Sequence, residues 1–344
     1  MKQIRTEEAA GHVLCHDITR IIPGKEKGPV FRKGHIVTKE DIPVLLSVGK
    51  ESLYVWEKRP GILHEDEAAY ILKDICMGDS ESMTFSTPSE GKITIRAAQD
   101  GLLKIKREGL IAVNSLGEMM IAAAHGDFPV RKGDIIAGTR IIPLVIEEEK
   151  MLKAKQIAGD VPLFSILPFT LKKAGIVTTG NEVAKGRIED AFGPVLKKKL
   201  SEYDVEVMGQ RLLPDDREGI TEAIEGFVRD GADMVLVSGG MSVDPDDRTP
   251  GAIKDTGARI ISYGAPVLPG AMFMLAYLEY EGKEIPVMGL PGCVMYKGRT
   301  IFDLVLPRVL AKDAVSAADL ASYGEGGLCL DCKVCHFPNC GFGK

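Results

Sequence analysis

Three places where an apolar run ends carry residues suited to holding a charged ligand. In residues 237–253, VSGGMSVDPDDRTPGAI, the run gives way to Gly239-Gly240, Ser242, three aspartates and a Thr-Pro pair. Paired glycines clear side chains from a spot where backbone N–H groups can reach an anion, and Ser242 adds a hydroxyl donor. Thr249-Pro250 reads as an N-cap followed by the first residue of a helix. Residues 212–220, LLPDDREGI, place Asp215 and Asp216 after a second apolar run. One of the two is expected to cap the following helix, which leaves the other to face a ligand. Residues 178–183, TTGNEV, supply Thr179, Gly180 and Glu182 at the third place. Hard carboxylates beside a phosphate cradle suit a hydrated Mg²⁺, so Asp216 and Asp247 are the candidate catalytic and metal-holding pair. Asp244 and Asp246 are read as solvated turn residues bonded to their own backbone. A fourth element, GLPGCVMYKGRTIFDLVLPRVL, sets Pro291-Gly292 between an apolar run and an amphipathic helix, where a glycine-turned helix start can meet an anion.

A second chemistry lies at the end of the sequence. GGLCLDCKVCHFPNCGFGK spaces Cys329, Cys332, Cys335 and Cys340 as C-x₂-C-x₂-C-x₄-C, with His336 adjacent. Four thiols this close can hold a structural Zn²⁺ or an iron–sulfur cluster, and the spacing does not separate the two. Cys15, Cys76 and Cys293 are scattered, so no disulfide framework is expected and the compartment reads as reducing. His12, His16, His35, His64 and His125 share no ligand-like spacing and are read as locally bonded, and Trp56 as a core residue.

The elements that must position these loops follow from hydrophobic periodicity. To about residue 58 the sequence reads as a small α/β unit, with an N-cap at Thr38, a short helix to Val48 and a strand ending near Trp56. A charged helix follows from His64 to Met77. From about residue 91 to 146 short alternating runs, GLLKIKRE and LIAVNS among them, predict an antiparallel β domain. EEEKMLKAK reads as a solvated helix or linker. From about residue 169 to 311 strands alternate with helices, which calls for a mainly parallel sheet covered on both faces, with ligands at the carboxyl ends of its strands. The expected boundaries are an N-terminal α/β unit over 1–80, a β-rich domain over 81–150, a cofactor-binding α/β domain over 151–315 and a Cys-rich tail over 316–344.

Composition narrows the function classes. A net charge of −6, with both signs mixed along the 344 residues, gives no case for nucleic-acid or anionic-membrane partners. No apolar run approaches the roughly 20 residues that span a bilayer, and the first residues lack a signal-peptide core, so the expected location is the cytoplasm.

GIVTTGNEV, LLPDDREGI, VSGGMSVDPDDRTPGAI and MGLPGCVMYKGRTIFDLVLPRVL, in this order, resemble the molybdopterin-binding domain of the MoeA/MogA-type molybdenum-cofactor biosynthesis proteins. The resemblance implies a three-layer α/β/α domain that binds molybdopterin, or adenylyl-molybdopterin, with Mg²⁺. It implies ligand contacts for Thr179, Gly180, Glu182, Gly239, Gly240, Ser242, Thr249, Pro291 and Gly292, and metal coordination for Asp216, or its neighbour Asp215, and for Asp247. In the molybdotransferase of this family, molybdate displaces AMP from the adenylylated pterin. This sequence departs from that pattern. Leu268 stands at the family's lysine in VLPGAMF, and Cys293, Val294 and Tyr296 replace the Asn, Pro and Ser of its Leu-Pro-Gly-Asn-Pro-x-Ser loop. These losses remove polar contacts, so binding is better supported than turnover. The alternative to a molybdate transfer enzyme is a non-catalytic carrier that holds the cofactor for a molybdoenzyme client. Self-association into a homo-oligomer is a further expectation.

Overall fold

The computed structural model describes residues 2–22, 26–55, 60–242 and 247–344; Trp56, Asp244 and Asp246 lie outside the described residues. The chain divides into two compact units. One comprises residues 1–98, 105–124 and 132–165, and the other residues 99–104, 125–131 and 166–344.

The first unit begins with an antiparallel pair, Lys2–Arg5 with Ser52–Val55, and a hairpin of Ile18–Ile22 with Glu26–Phe31. Leu14, Ile18, Leu45 and Leu53 close a small core beneath them. The expected short helix is Asp41–Ser47, with Glu40 and not Thr38 at the N-cap position and no side-chain cap. Asp41 reaches back to accept the Thr38 N–H at 2.8 Å, which fixes the turn before the helix. His64 is buried and caps the helix Glu65–Met77 through Nδ1, while Glu67 returns the bond to the His64 backbone. Four antiparallel strands follow, in the order Met83–Phe85, Lys92–Ala97, Ile135–Ile141, Met119–Ala123. Two expectations change here. LIAVN forms part of a helix, Arg107–Asn114, whose last residue brackets the Ile121 backbone with its side-chain amide. EEEKMLKAK takes the helical of its two readings, with Glu147 as the N-cap of the helix Glu148–Ala158, but the helix is not merely solvated: it buries Met151, Ala154 and Ala158.

The second unit is built on a six-stranded sheet. We number its strands β1 (Lys173–Thr179), β2 (Glu206–Leu213), β3 (Met234–Ser238), β4 (Arg259–Tyr263), β5 (Met274–Tyr280) and β6 (Lys283–Leu290). The order is β2-β1-β3-β6-β5-β4; the first four run parallel, and β5 alone runs the other way, pairing antiparallel with β6 on one side and β4 on the other. Its helices are α1 (Phe192–Ser201), α2 (Arg217–Arg229), α3 (Thr249–Asp255) and α4 (Ile301–Leu310). Alternation along the strands sends side chains to opposite faces. Ile176, Leu236 and Met288 pack with α1 and α4, whereas Val177, Val235, Val237 and Val287 pack with α2 and α3. The result is the expected three-layer α/β/α domain with a mainly parallel sheet. Gly175 serves this packing directly, because a Cβ there would collide with the Phe227 ring of α2.

The expected boundaries differ from the division into units. Residues 99–104 and 125–131, assigned to the β-rich segment, belong to the second unit. They form an antiparallel pair, Gly101–Ile105 with Phe128–Val130, and commit Leu102 and Phe128 to the same apolar core as Phe273 and Phe302. The segment 316–344 is also part of this unit: Leu320, Tyr323 and Phe342 are buried in that core.

Candidate functional site

In a sheet of order β2-β1-β3 the connections leave β1 toward opposite sides, and the crevice at the carboxyl ends of β1 and β3 is the place where open α/β sheets take ligands. Three of the predicted loops meet there. Thr179 and Gly180 end β1, and Gly239-Gly240 end β3. Both glycines of β3 are left-handed, with φ +89° and +56°. A Cβ on Gly239 would run into the Thr179 carbonyl, and one on Gly240 would lie 2.9 Å from Thr249 Oγ1. The glycines therefore permit close loop-to-loop packing as well as an open backbone.

Buried hydroxyls lock this cradle. Thr249 Oγ1 donates to the Gly239 carbonyl at 2.8 Å and lies 3.4 Å from Thr179 Oγ1, while the Thr249 N–H bonds the Gly240 carbonyl at 3.2 Å. One strand residue back, Thr178 Oγ1 and Ser238 Oγ are 3.2 Å apart. Thr249 is the first helical residue of α3, with Pro250 in the first turn, so its side chain ties down the preceding loop and is not the helix cap expected from sequence.

The carboxylates divide their work. Asp216 is the N-cap of α2 and accepts the Gly219 N–H at 2.8 Å through Oδ2. Asp215 accepts from Asn181, backbone N–H at 3.1 Å and side-chain amide at 3.2 Å, and so joins the β2 loop to the single helical turn Asn181–Ala184. Glu182 and Ser242 are exposed and Asp247 is half-buried. Among the described residues no three His, Cys, Asp or Glu side chains gather closely enough to hold one metal ion. The two aspartates and four cysteines named from sequence as ligands are therefore not preassembled as cages, either at the crevice or in the tail. A hydrated Mg²⁺ asks for less than a cage, since it keeps most of its waters and takes one or two carboxylates plus ligand phosphates; Asp247 is half-buried, and Asp216 spends one oxygen on the Gly219 N–H.

The fourth loop departs from expectation. Pro291 is buried and Gly292 opens only a short 3₁₀ turn, Gly292–Met295, so no α-helix begins at this glycine. Helix α4 starts later because Thr300 and Asp303 form a buried capping box there. Lys199 of α1 fixes the intervening turn, bonding both Asp303 oxygens at 2.7 and 2.8 Å and the Gly298 carbonyl at 2.7 Å. Leu268, at the family's lysine position, is 57% exposed, and Tyr296 is 72% exposed.

Three residues near the crevice were not singled out from sequence. Gln210 on β2 spans Thr178 Oγ1 at 3.0 Å and Asp190 Oδ2 at 2.6 Å, and Asp190 also accepts the Phe192 N–H at the start of α1. Tyr263 at the end of β4 donates to the carbonyls of Met241 and Ser242, at 3.1 and 3.3 Å. Burial and the nearby Asp247 carboxylate push its hydroxyl above the usual tyrosine range. A polar residue inside a strand, as Gln210 is, was the available signal for the first; nothing local marks Tyr263.

Two family descriptions match the chain. Residues 175–312 match the family described as "Probable molybdopterin binding domain", and residues 3–57 match a domain of unknown function. The molybdopterin molybdenumtransferase of Synechococcus elongatus is 26% identical over 204 residues, covering 54% of this chain and 47% of that protein. A CinA-like protein of Mycolicibacterium vanbaalenii is 42% identical over 78 residues, 22% of this chain and 18% of that protein. Among solved structures, the tungsten cofactor synthesizing protein MoaB of Pyrococcus furiosus is 22% identical, with 42% of this chain and 90% of that one covered at a TM-score of 0.32. The chain thus spans less than half the length of either of these curated relatives. With the motif loops and the three-layer domain in place, residues 175–312 form a domain of the family described as a probable molybdopterin binding domain.

Proposed function

We propose that the second unit binds molybdopterin, or its adenylylated form, at the carboxyl ends of β1 and β3 and serves molybdenum-cofactor biosynthesis or insertion. The observation that carries this reading is the cradle of Thr179, Gly239, Gly240 and Thr249: two left-handed glycines held by buried hydroxyls at the sheet's switch point. In this reading the ligand phosphate lies over the Gly239-Gly240 backbone with Ser242 as a further donor, and Gly180 and Glu182 orient the pterin from the β1 side. Asp216 and Asp247 are the residues that would hold a Mg²⁺ brought with the phosphates, which would supply neutralisation of phosphate charge. Pro291 and Gly292 close the β6 side of the crevice.

Holding is favoured over turnover. Leu268 provides no charge where the family carries a lysine, and Cys293, Val294 and Tyr296 offer fewer hydrogen bonds than the residues they replace. The chain therefore acts as a carrier or maturation partner that passes the cofactor to a molybdoenzyme in the cytoplasm. The molybdate-transfer reading rests on the retained Asp216 and Asp247. The two are separated by mixing the purified protein with adenylyl-molybdopterin, molybdate and Mg²⁺. Tight binding, read by mass spectrometry of the co-eluting ligand, without release of AMP is the expected result; stoichiometric AMP release would establish transfer instead, and no retained pterin would overturn both.

A further inference from the structure

The motif that pterin binding leaves unused is the cysteine segment, and it is docked against the domain. The Leu268 N–H bonds the Gly327 carbonyl and the Cys329 N–H bonds the Leu268 carbonyl, each at 2.8 Å, so Leu328 adds a parallel bridge to the loop that carries Leu268. Aromatic stacking holds the far side: the Phe337 ring is 5.9 Å from Phe128 and 6.2 Å from Phe342, with the Arg299 guanidinium 5.1 Å above it. Lys297 bonds Asp331 at 2.8 Å.

These anchors place Cys329, Cys332, Cys335 and Cys340 on the wall of a single cavity of about 440 Å³, together with Lys297 and Arg299. All four thiols are free; Cys332 and Cys335 are exposed and the other two half-buried. We infer that this cavity is an iron–sulfur site, with the four cysteines as ligands to a [4Fe–4S] cluster seated beside the loops that close the β6 side of the crevice.

Size decides between a cluster and a single ion. A tetrahedral zinc site holds each sulfur about 2.3 Å from the metal and so requires four thiolates in mutual contact. The four thiols instead line one cavity of about 440 Å³, far more room than a single ion fills and space enough for a cluster's iron and sulfide. A cluster brings its own bridging sulfides and takes one thiolate at each iron, which suits ligands spread around a cavity wall. Charge agrees. A cluster bound by four thiolates is anionic, and the two cations come from the turn just after β6. Burial opposes the Arg299 charge, but hydrogen bonds and attraction from Glu202 and Asp303 raise its affinity for the proton, so it stays cationic beside the cavity. Hydrogen bonds and charge near the sulfurs are the means by which a protein sets a cluster's potential.

The test does not depend on pterin. The full chain is purified without oxygen, incubated with equal amounts of Fe²⁺ and Fe³⁺ and with sulfide, desalted, and assayed for iron, acid-labile sulfide and zinc. About four iron and four sulfide per chain are expected, with broad visible absorbance that dithionite bleaches. The double variant Cys332→Ser/Cys335→Ser should lose most of the iron and the absorbance while keeping the circular dichroism of the apo wild type, since neither side chain is buried. Zinc in place of iron, a metal-free wild type after reconstitution, or equal iron in the double variant would each overturn the assignment. Pterin binding measured on the same samples reports separately on the crevice.

Discussion

At the scale of single residues, Thr249 and Gly240 concentrate what the crevice asks of side chains. Thr249→Val keeps volume but removes the hydroxyl that bonds the Gly239 carbonyl, so the loop loses its tether. Gly240→Ala adds a methyl at φ +56° against Thr249 Oγ1. Both variants should bind adenylyl-molybdopterin at least about tenfold more weakly, the cost of roughly one buried hydrogen bond or comparable backbone strain. Ser242→Ala, on an exposed side chain, should do less; isothermal titration of the three ranks them, and equal losses would contradict a rigid cradle. A second residue of interest is Glu65 in the first unit, which is buried, and its carboxyl is pushed up to about 7 from 4.5 by burial and by Asp66. A raised carboxyl pKa stabilises the fold in full below the unfolded value of 4.5, and that stability is lost as pH rises through about 7. Glu65→Gln should therefore melt above the wild type at pH 8 and draw level with it at pH 4, which paired thermal melts will check.

At the scale of elements, the sequence was most informative where a local rule met no competition. The strands of the second unit and the capping role of one of Asp215 and Asp216 were legible because apolar runs and N-cap chemistry are local. The later start of α4 was not, because Gly292 looks like a helix opening until Thr300, Asp303 and Lys199 are seen to meet across the fold. LIAVN was read as a strand from its alternation, yet a helix wins where Asn114 can bond the neighbouring strand. Tyr263 was invisible for the same reason: its partners are on a loop remote in sequence. The Lys199–Asp303 pair, both side chains under a tenth exposed, makes this reasoning testable. Lys199→Met leaves the Asp303 charge buried beside Arg299 alone and should cost about 3–5 kcal/mol. Lys199→Met with Asp303→Asn should recover part of that loss in urea unfolding. The turn carrying Lys297 and Arg299 is anchored by the same pair, so the single variant should also weaken iron retention in the tail.

At the scale of the whole molecule, the two units are not consecutive pieces of chain. A boundary at 150 follows from the change of pattern along the sequence, but that pattern does not record which core a strand's side chains enter. Residues 166–344 expressed alone lack Leu102 and Phe128, two members of the largest apolar core. That fragment should be poorly soluble or should melt well below the second unit of the intact chain, whereas appending residues 99–131 through a flexible linker should restore part of the stability. Equal stability of the bare fragment, read by urea unfolding, would show that the two excursions are ornamental. No helix among the described residues is long and apolar enough to cross a membrane.

The two excursions also impose an order on synthesis. Leu102 and Phe128 leave the ribosome long before Phe302 and Phe342, the side chains whose core they share, are translated. The early strands must wait with their apolar faces uncovered, the situation in which a growing chain is exposed to mispairing and to capture by chaperones. Completion of the second core, and with it the seating of the cysteine segment on Phe128, thus waits until Phe302, Phe337 and Phe342 have been translated. A cofactor and a cluster that bind only the finished site would then report that these distant stretches of sequence have come together.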